Sequence, residues 1–256
     1  MLSMVQTSAA RPRTIAVRAR RPRAWTWVKR ILLGIVVVAV VYQLWILASI
    51  FRYKRSNPET TSLMEQRAAE TRAKGEEPKR VQTWVPYDRI SRNLVRAVLA
   101  GEDSRFFDHA GFDWEEIGKA LEEDWNSGEF KRGASTITQQ LAKNLFLSTS
   151  KNPLRKLHEA VITKEMEWVI GKRRILEIYL NVIEWGDGVY GAEAAARTYF
   201  NEPASALSVD QAAFLSAIIP GPNGALNPSA HRRRVERRKN LIERLMRHVV
   251  MPRVLD

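Results

Sequence analysis

The chain has 256 residues, 45% of them apolar, which is enough for one packed domain with appendages, and it carries a formal charge of +13. Met1 to Arg30 holds eight basic and no acidic residues, His231 to Asp256 holds nine basic and three acidic, and the stretch between is about −1; basic ends on a nearly neutral body suit anionic lipid and argue against a nucleic-acid protein. With no cysteine, disulfides, thiol nucleophiles and sulfur-bound zinc are excluded, and His109, His158, His231 and His248 form no HExxH pair, so carboxylates are the available acid/base groups.

The first element is Ile31 to Phe51, 21 residues without a charge, which as a helix spans about 31 Å and matches a hydrocarbon core of about 30 Å. Trp25, Trp27 and Tyr53 flank it where interfacial rings are expected, and the eight basic residues before it outweigh Arg52, Lys54 and Arg55 after it. The N-terminus is therefore expected to be cytoplasmic. The run is longer than a signal-peptide core and lacks an A-x-A site, so it reads as an uncleaved anchor. The expected domains are a basic tail to residue 30, the anchor over 31–51, a polar stalk with one helical stretch over 52–80, a globular body over 81–230 and a basic tail over 231–256.

Within the body, apolar residues recur at helical spacing and alternating strand patterns are scarce, so a mainly α fold is expected. Helices are predicted near Asp88 to Gly101, Asp113 to Ser127, Thr136 to Phe146, Pro153 to Ile170, Arg173 to Ile183, Gly191 to Phe200 and Ser208 to Ala217. In the tail, Leu241, Ile242, Leu245, Met246 and Val249 share a helical face beneath a basic coat, which suits either docking on the body or a lipid surface.

Three motifs carry candidate chemistry. In "GASTITQQLAKN", Gly133 to Asn144, Thr136 and Gln139 have the spacing of a capping box. The helix they open groups Gln139, Gln140, Lys143 and Asn144 near backbone amides of the kind that bind phosphate; an ordinary capped helix with a solvated face is the alternative. In "GEDSRFFDHAGFDW", Gly101 to Trp114, Glu102 and Asp103 arrive against aromatic rings, where desolvation raises proton affinity and suits a general base or acid. His109 reads as a structural hydrogen-bond partner. In "RKLHE", Arg155 and Glu159 lie one turn apart on one face, as either an ion pair or part of a site. The following "KRRILEIYLN" reads as scaffold with Arg173 and Glu177 paired.

These stretches, with "GDGVYGAEAAARTYF" and "LSAIIPGPNGALNP" downstream, resemble in order and spacing the signature motifs of family 51 glycosyltransferases, the peptidoglycan glycosyltransferases, from about Val81 to Pro228. The short tail after Pro228 resembles the monofunctional form. The resemblance implies a lysozyme-like, mainly helical, two-lobed domain behind a single transmembrane helix. It also implies polymerisation of lipid II into β-1,4-linked glycan with departure of undecaprenyl diphosphate, in a bacterial inner membrane with the catalytic domain outside the cytoplasm. Lipid II, the growing glycan-lipid, the membrane and other cell-wall synthesis proteins are the expected partners, and nucleic acid is not.

By the same resemblance Glu102 is the general base and Glu159 positions the leaving group's surroundings or a divalent ion, Mg or Mn. Lys143 and Arg155 contact the donor diphosphate, with Lys151 as a further candidate. Ser135, Thr136, Gln139, Gln140 and Asn144 line the cleft. Two rivals stay open at this stage: a glycan-cleaving lytic transglycosylase, which has no diphosphate to neutralise, and a catalytically inactive membrane scaffold.

Overall fold

The computed structural model of the protein describes residues 23–127, 135–150 and 152–252. The chain divides into two compact units, residues 1–44 and 45–256. Helix α1, Arg23–Tyr53, begins in the first unit, and from Trp25 onward it is long and apolar enough to cross a membrane. Ile31, Leu33, Val36 and Val38 are each more than half exposed. The helix outruns the predicted 31–51 at both ends.

In the second unit the last turns of α1 are protein-covered, with Ile46 and Ile50 fully buried. Phe146 meets Trp45 edge-on at 6.3 Å and Tyr53 at 6.1 Å. Part of the predicted anchor is therefore core. The expected stalk holds the one helical stretch foreseen, Ser62–Ala73, helix α2, capped by Thr61, but it needs correction because the segment docks. Met64 is buried, Arg67 reaches Glu184 at 3.3 Å, and Gln66 bonds Thr149. This polar segment docks through one apolar residue and long-range polar bonds, neither of which leaves a periodic signal in sequence.

The seven helices predicted between Asp88 and Ala217 are all present, with ends displaced by at most four residues. They are α3 (Arg92–Glu102), α4 (Trp114–Ser127), α5 (Ile137–Phe146), α6 (Pro153–Val169), α7 (Lys172–Val182), α8 (Ala192–Phe200) and α9 (Val209–Ile218). Local chemistry sets several starts: Ser91 caps α3, Asn152 with Pro153 opens α6, and Ser208 with Gln211 closes a capping box on α9. A small sheet escaped the sequence reading: β1 (Val81–Gln82), β2 (Glu184–Gly186) and β3 (Val189–Tyr190), in the order β1-β3-β2. β1 runs parallel to β3 and β2 antiparallel to it. Strands of two or three residues are too short to alternate. Gly188 makes the β2–β3 turn at φ +68°, and a Cβ there would sit 2.6 Å from the Lys79 carbonyl.

Helix α3 packs against α9, and α10 (Arg232–Leu245) packs against both. Gly101 permits the close approach at the end of α3, since a Cβ would lie 2.6 Å from Ser216 Oγ; Ser216 itself bonds the Ala97 carbonyl at 2.8 Å. The tail therefore docks on the body, by part of the expected face. Val235, Ile242 and Met246 are buried, whereas Leu241 and Leu245 are 44% and 40% exposed. The predicted boundary at residue 230 cuts through one packed unit. On α7, Arg173 pairs with Asp88, and Glu177 takes Arg174 at i−3 rather than Arg173 at i−4. Asn181, fully buried, fastens α7 to Val85 through both its amide atoms.

Candidate active site

The core of α3 delivers Glu102 as its last residue, with its side chain only 8% exposed. Its two oxygens are held from different elements. Oε2 accepts from Gln140 Nε2 of α5 at 2.9 Å, and Oε1 accepts from Arg238 Nη2 of α10 at 3.0 Å. Gln140 is oriented in turn by the buried Tyr179 of α7, whose hydroxyl donates to Gln140 Oε1 at 2.8 Å. With the amide oxygen so occupied, the amide NH2 must face the carboxylate. Burial pushes the Glu102 carboxyl above its ordinary range, partly offset by Gln140 and Arg238, and burial also holds the Tyr179 hydroxyl well above its own. The raised proton affinity expected from the sequence is present, with general burial as its leading cause.

The neighbouring acid has a different duty. Asp103 accepts from His109 Nε2 at 2.9 Å and from the backbone N–H of Ile137 at 3.0 Å, so it ties the turn after α3 to the start of α5, and His109 is the structural partner the sequence suggested. The capping box is closed as predicted: Thr136 Oγ1 accepts from Gln139 N–H, and Gln139 Oε1 accepts from Thr136 N–H. Thr136 Oγ1 also donates to the Gly111 carbonyl at 2.7 Å. This changes the expected phosphate site, since Asp103 and the cap already occupy amides of the first turn. Thr136 and Gln139 are 3% and 4% exposed, so they shape the site without presenting surface to a ligand. Asn144, at 8%, is likewise mostly enclosed.

Anion-binding capacity comes from side chains instead. Lys143 lies one turn beyond Gln140, and burial draws its ammonium below the usual lysine value, opposed by the nearby Glu159 carboxylate. Glu159 is buried on α6, where Arg155 Nη1 donates to its Oε2 at 2.7 Å and Lys156 pairs with its Oε1. Arg155 Nε also holds the Ser150 carbonyl at 2.6 Å. Lys156 extends to Ser135 Oγ at 3.4 Å, and Gln140 touches the Ser135 carbonyl at the same distance. Glu102, Gln140, Ser135, Lys156, Glu159 and Arg155 thus form one connected network, and Lys143 feels both carboxylates. Lys151 lies outside the described residues.

Sequence reasoning missed Lys156, Tyr179 and Arg238. The i+3 spacing of Lys156 to Glu159 was a usable signal; Tyr179 and Arg238 are 39 and 136 residues from their partners and left none. Among the described residues no three His, Asp or Glu side chains converge, and both oxygens of Glu159 are taken by cations. The residues present therefore do not fit a resident divalent ion at Glu159.

Residues 68–247 match the family described as Transglycosylase. The chain is 51% identical over 196 residues to the biosynthetic peptidoglycan transglycosylase of Dechloromonas aromatica (strain RCB), covering 77% of this chain and 85% of the relative. It is 49% identical over 231 residues to the protein of that name from Thiobacillus denitrificans (strain ATCC 25259 / T1), covering 90% and 98%. With the Chromobacterium violaceum relative, also a biosynthetic peptidoglycan transglycosylase, identity is 48% over 225 residues, covering 87% and 97%.

Proposed function

This chain belongs to the transglycosylase family, and from that premise we propose that it polymerises lipid II into β-1,4-linked glycan for bacterial cell-wall synthesis. The reaction joins the 4-hydroxyl oxygen of the acceptor sugar to the anomeric carbon of the donor, with inversion, while the bond from that carbon to the lipid diphosphate breaks. Glu102 takes the hydroxyl proton. Its carboxylate spends two of about four lone-pair directions on Gln140 and Arg238, which leaves acceptor capacity for the substrate. A base whose proton affinity is raised by burial suits work near neutral pH, and such a group contributes about 100- to 10,000-fold in rate.

The leaving diphosphate needs charge neutralisation more than a proton. Lys143 and Arg155 supply a point charge and a planar fork, Lys156 adds a third cation, and Glu159 keeps Arg155 and Lys156 in register. Ser135 and Gln140 link the two halves. The single observation that carries this reading is that the buried base shares one hydrogen-bonded network with Arg155 and Lys156, with Lys143 in electrostatic reach of both carboxylates. It also favours synthesis over glycan cleavage, which has no diphosphate to stabilise.

The apolar α1 is read as a single membrane anchor with the basic N-terminus in the cytoplasm and the catalytic unit outside. Enzyme and lipid-linked substrate then meet in nearly two dimensions, alongside other cell-wall synthesis proteins. The direct test is incubation of the purified full-length protein with lipid II. Long glycan is expected, and release of soluble muropeptides from sacculi without polymer would overturn the assignment.

A further inference from the structure

Glu102 ends α3, but the charge that holds it comes from the opposite end of the domain sequence. Arg238 Nη2 donates at 3.0 Å both to Glu102 Oε1 and to the carbonyl of Gly101, and the arginine side chain is 31% exposed. The helix that carries it is fixed by Val235 and Ile242, which are three residues before and four after it and 2% and 1% exposed. Arg238 therefore sits on the docked face of α10, among its buried residues, while Arg237 beside it is exposed. A basic side chain on a buried face, placed to reach one carboxylate and the backbone that carries it, is a specific arrangement within an otherwise solvated basic helix.

The groups facing Glu102 can be named from every element packed around it. Asp103 follows it on the chain and opposes its charge; Gln140 and Lys143 come from α5, Tyr179 from α7, and Arg238 from α10. From α9, the Ser216 hydroxyl lies against Gly101 at this end of α3 and is spent on the Ala97 carbonyl. Among the cations of the described residues, only Arg238 bonds the carboxylate directly.

We propose that Arg238 is a positioning residue for Glu102: from the C-terminal helix it keeps the carboxylate charged and aimed, opposite the Tyr179–Gln140 arm that fixes the other oxygen. The inference rests on the reading of Glu102 as the general base. It assigns a duty in catalysis to a helix outside the signature stretches, and it makes correct docking of α10 a condition for an active base.

The test is the pH dependence of lipid II polymerisation by the purified full-length protein. Arg238→Met removes the cation, so Glu102 should stay protonated to higher pH and the acid limb of the rate profile should move up by about one pH unit or more. Activity should recover on the alkaline side of that limb. Arg238→Lys should lie nearer wild type, and Arg237→Met should be unchanged. Arg238→Gln, which keeps a donor for Gly101 without the charge, carries the same test if circular dichroism melting shows Arg238→Met to be poorly folded. A uniform loss of rate across the profile, with the acid limb unmoved, would overturn the proposal and leave Glu102 as base. Polymerisation by Glu102→Gln at the wild-type rate would instead sink the base assignment itself.

Discussion

Glu159 is 2% exposed, and its charge is held by two cations of its own helix, Arg155 at i−4 and Lys156 at i−3. Removing one partner of a buried pair typically costs about 3–5 kcal/mol; with Lys156 still present and Arg155 18% exposed, the cost here falls below that range. Arg155→Ala is therefore expected to lower the thermal unfolding midpoint modestly. It should also weaken binding of the donor diphosphate by about 10-fold or more, the scale of one lost charged hydrogen bond. Titration with donor and acceptor analogues separates the two sites, and a loss confined to the acceptor would contradict the division of labour. Lys143 gives a second pH-dependent outcome. Its ammonium is held below the ordinary lysine value by burial, so activity should fall on the alkaline side as the proton leaves. Lys143→Arg should push that alkaline limb upward, because a guanidinium stays protonated; an unmoved limb would show that another group titrates. At this scale Glu102, Lys143, Arg155 and Glu159 were legible because each belongs to a short local pattern. Thr136 and Gln139 were legible as a cap, whose bonds occupy Thr136 Oγ1 and Gln139 Oε1 and leave both residues buried.

Among the elements, α3 to α9 were readable from the spacing of their apolar residues, and capping side chains also mark the starts of α3, α5, α6 and α9. The exceptions share one cause: their partners lie far off in sequence. Helix α2 has Met64 as its one buried apolar residue and is fastened by Arg67 to Glu184 and by Gln66 to Thr149. It was read as stalk because none of those contacts is local. Docking predicts that trypsin cleaves slowly at Arg67 and Arg72 in the native protein. Met64→Asp buries a charge without a partner and should expose both sites to rapid cleavage while the rest of the unit resists; equal rates in the two proteins would mean that α2 is already loose. Likewise α10 was recognised as amphipathic, and Ile242 and Met246 of its expected face are buried, but the rest of that face was only partly right. Leu241 and Leu245 satisfied the apolar pattern, while the packed face is set by Val235, Ile242 and Met246 with Arg238 among them.

For the whole molecule, the charge distribution and the apolar α1 are the sequence features that speak to membrane topology. The chain contains no cysteine, so single-cysteine variants report cleanly. Ser3→Cys is expected to resist a membrane-impermeant maleimide in intact spheroplasts and to react after lysis, whereas Ser229→Cys, at an exposed position, should react in both. The reverse pattern would invert the proposed topology. The same scale holds the central arrangement, because the proposed base comes from α3, its orienting groups from α5, α7 and α10, and the proposed diphosphate cations from α5 and α6. Lipid II polymerisation by Glu102→Gln, followed together with donor binding, tests it most directly. Binding near the wild-type level with polymer formation reduced about 100-fold or more is the expected result, and polymerisation at the wild-type rate would contradict the account.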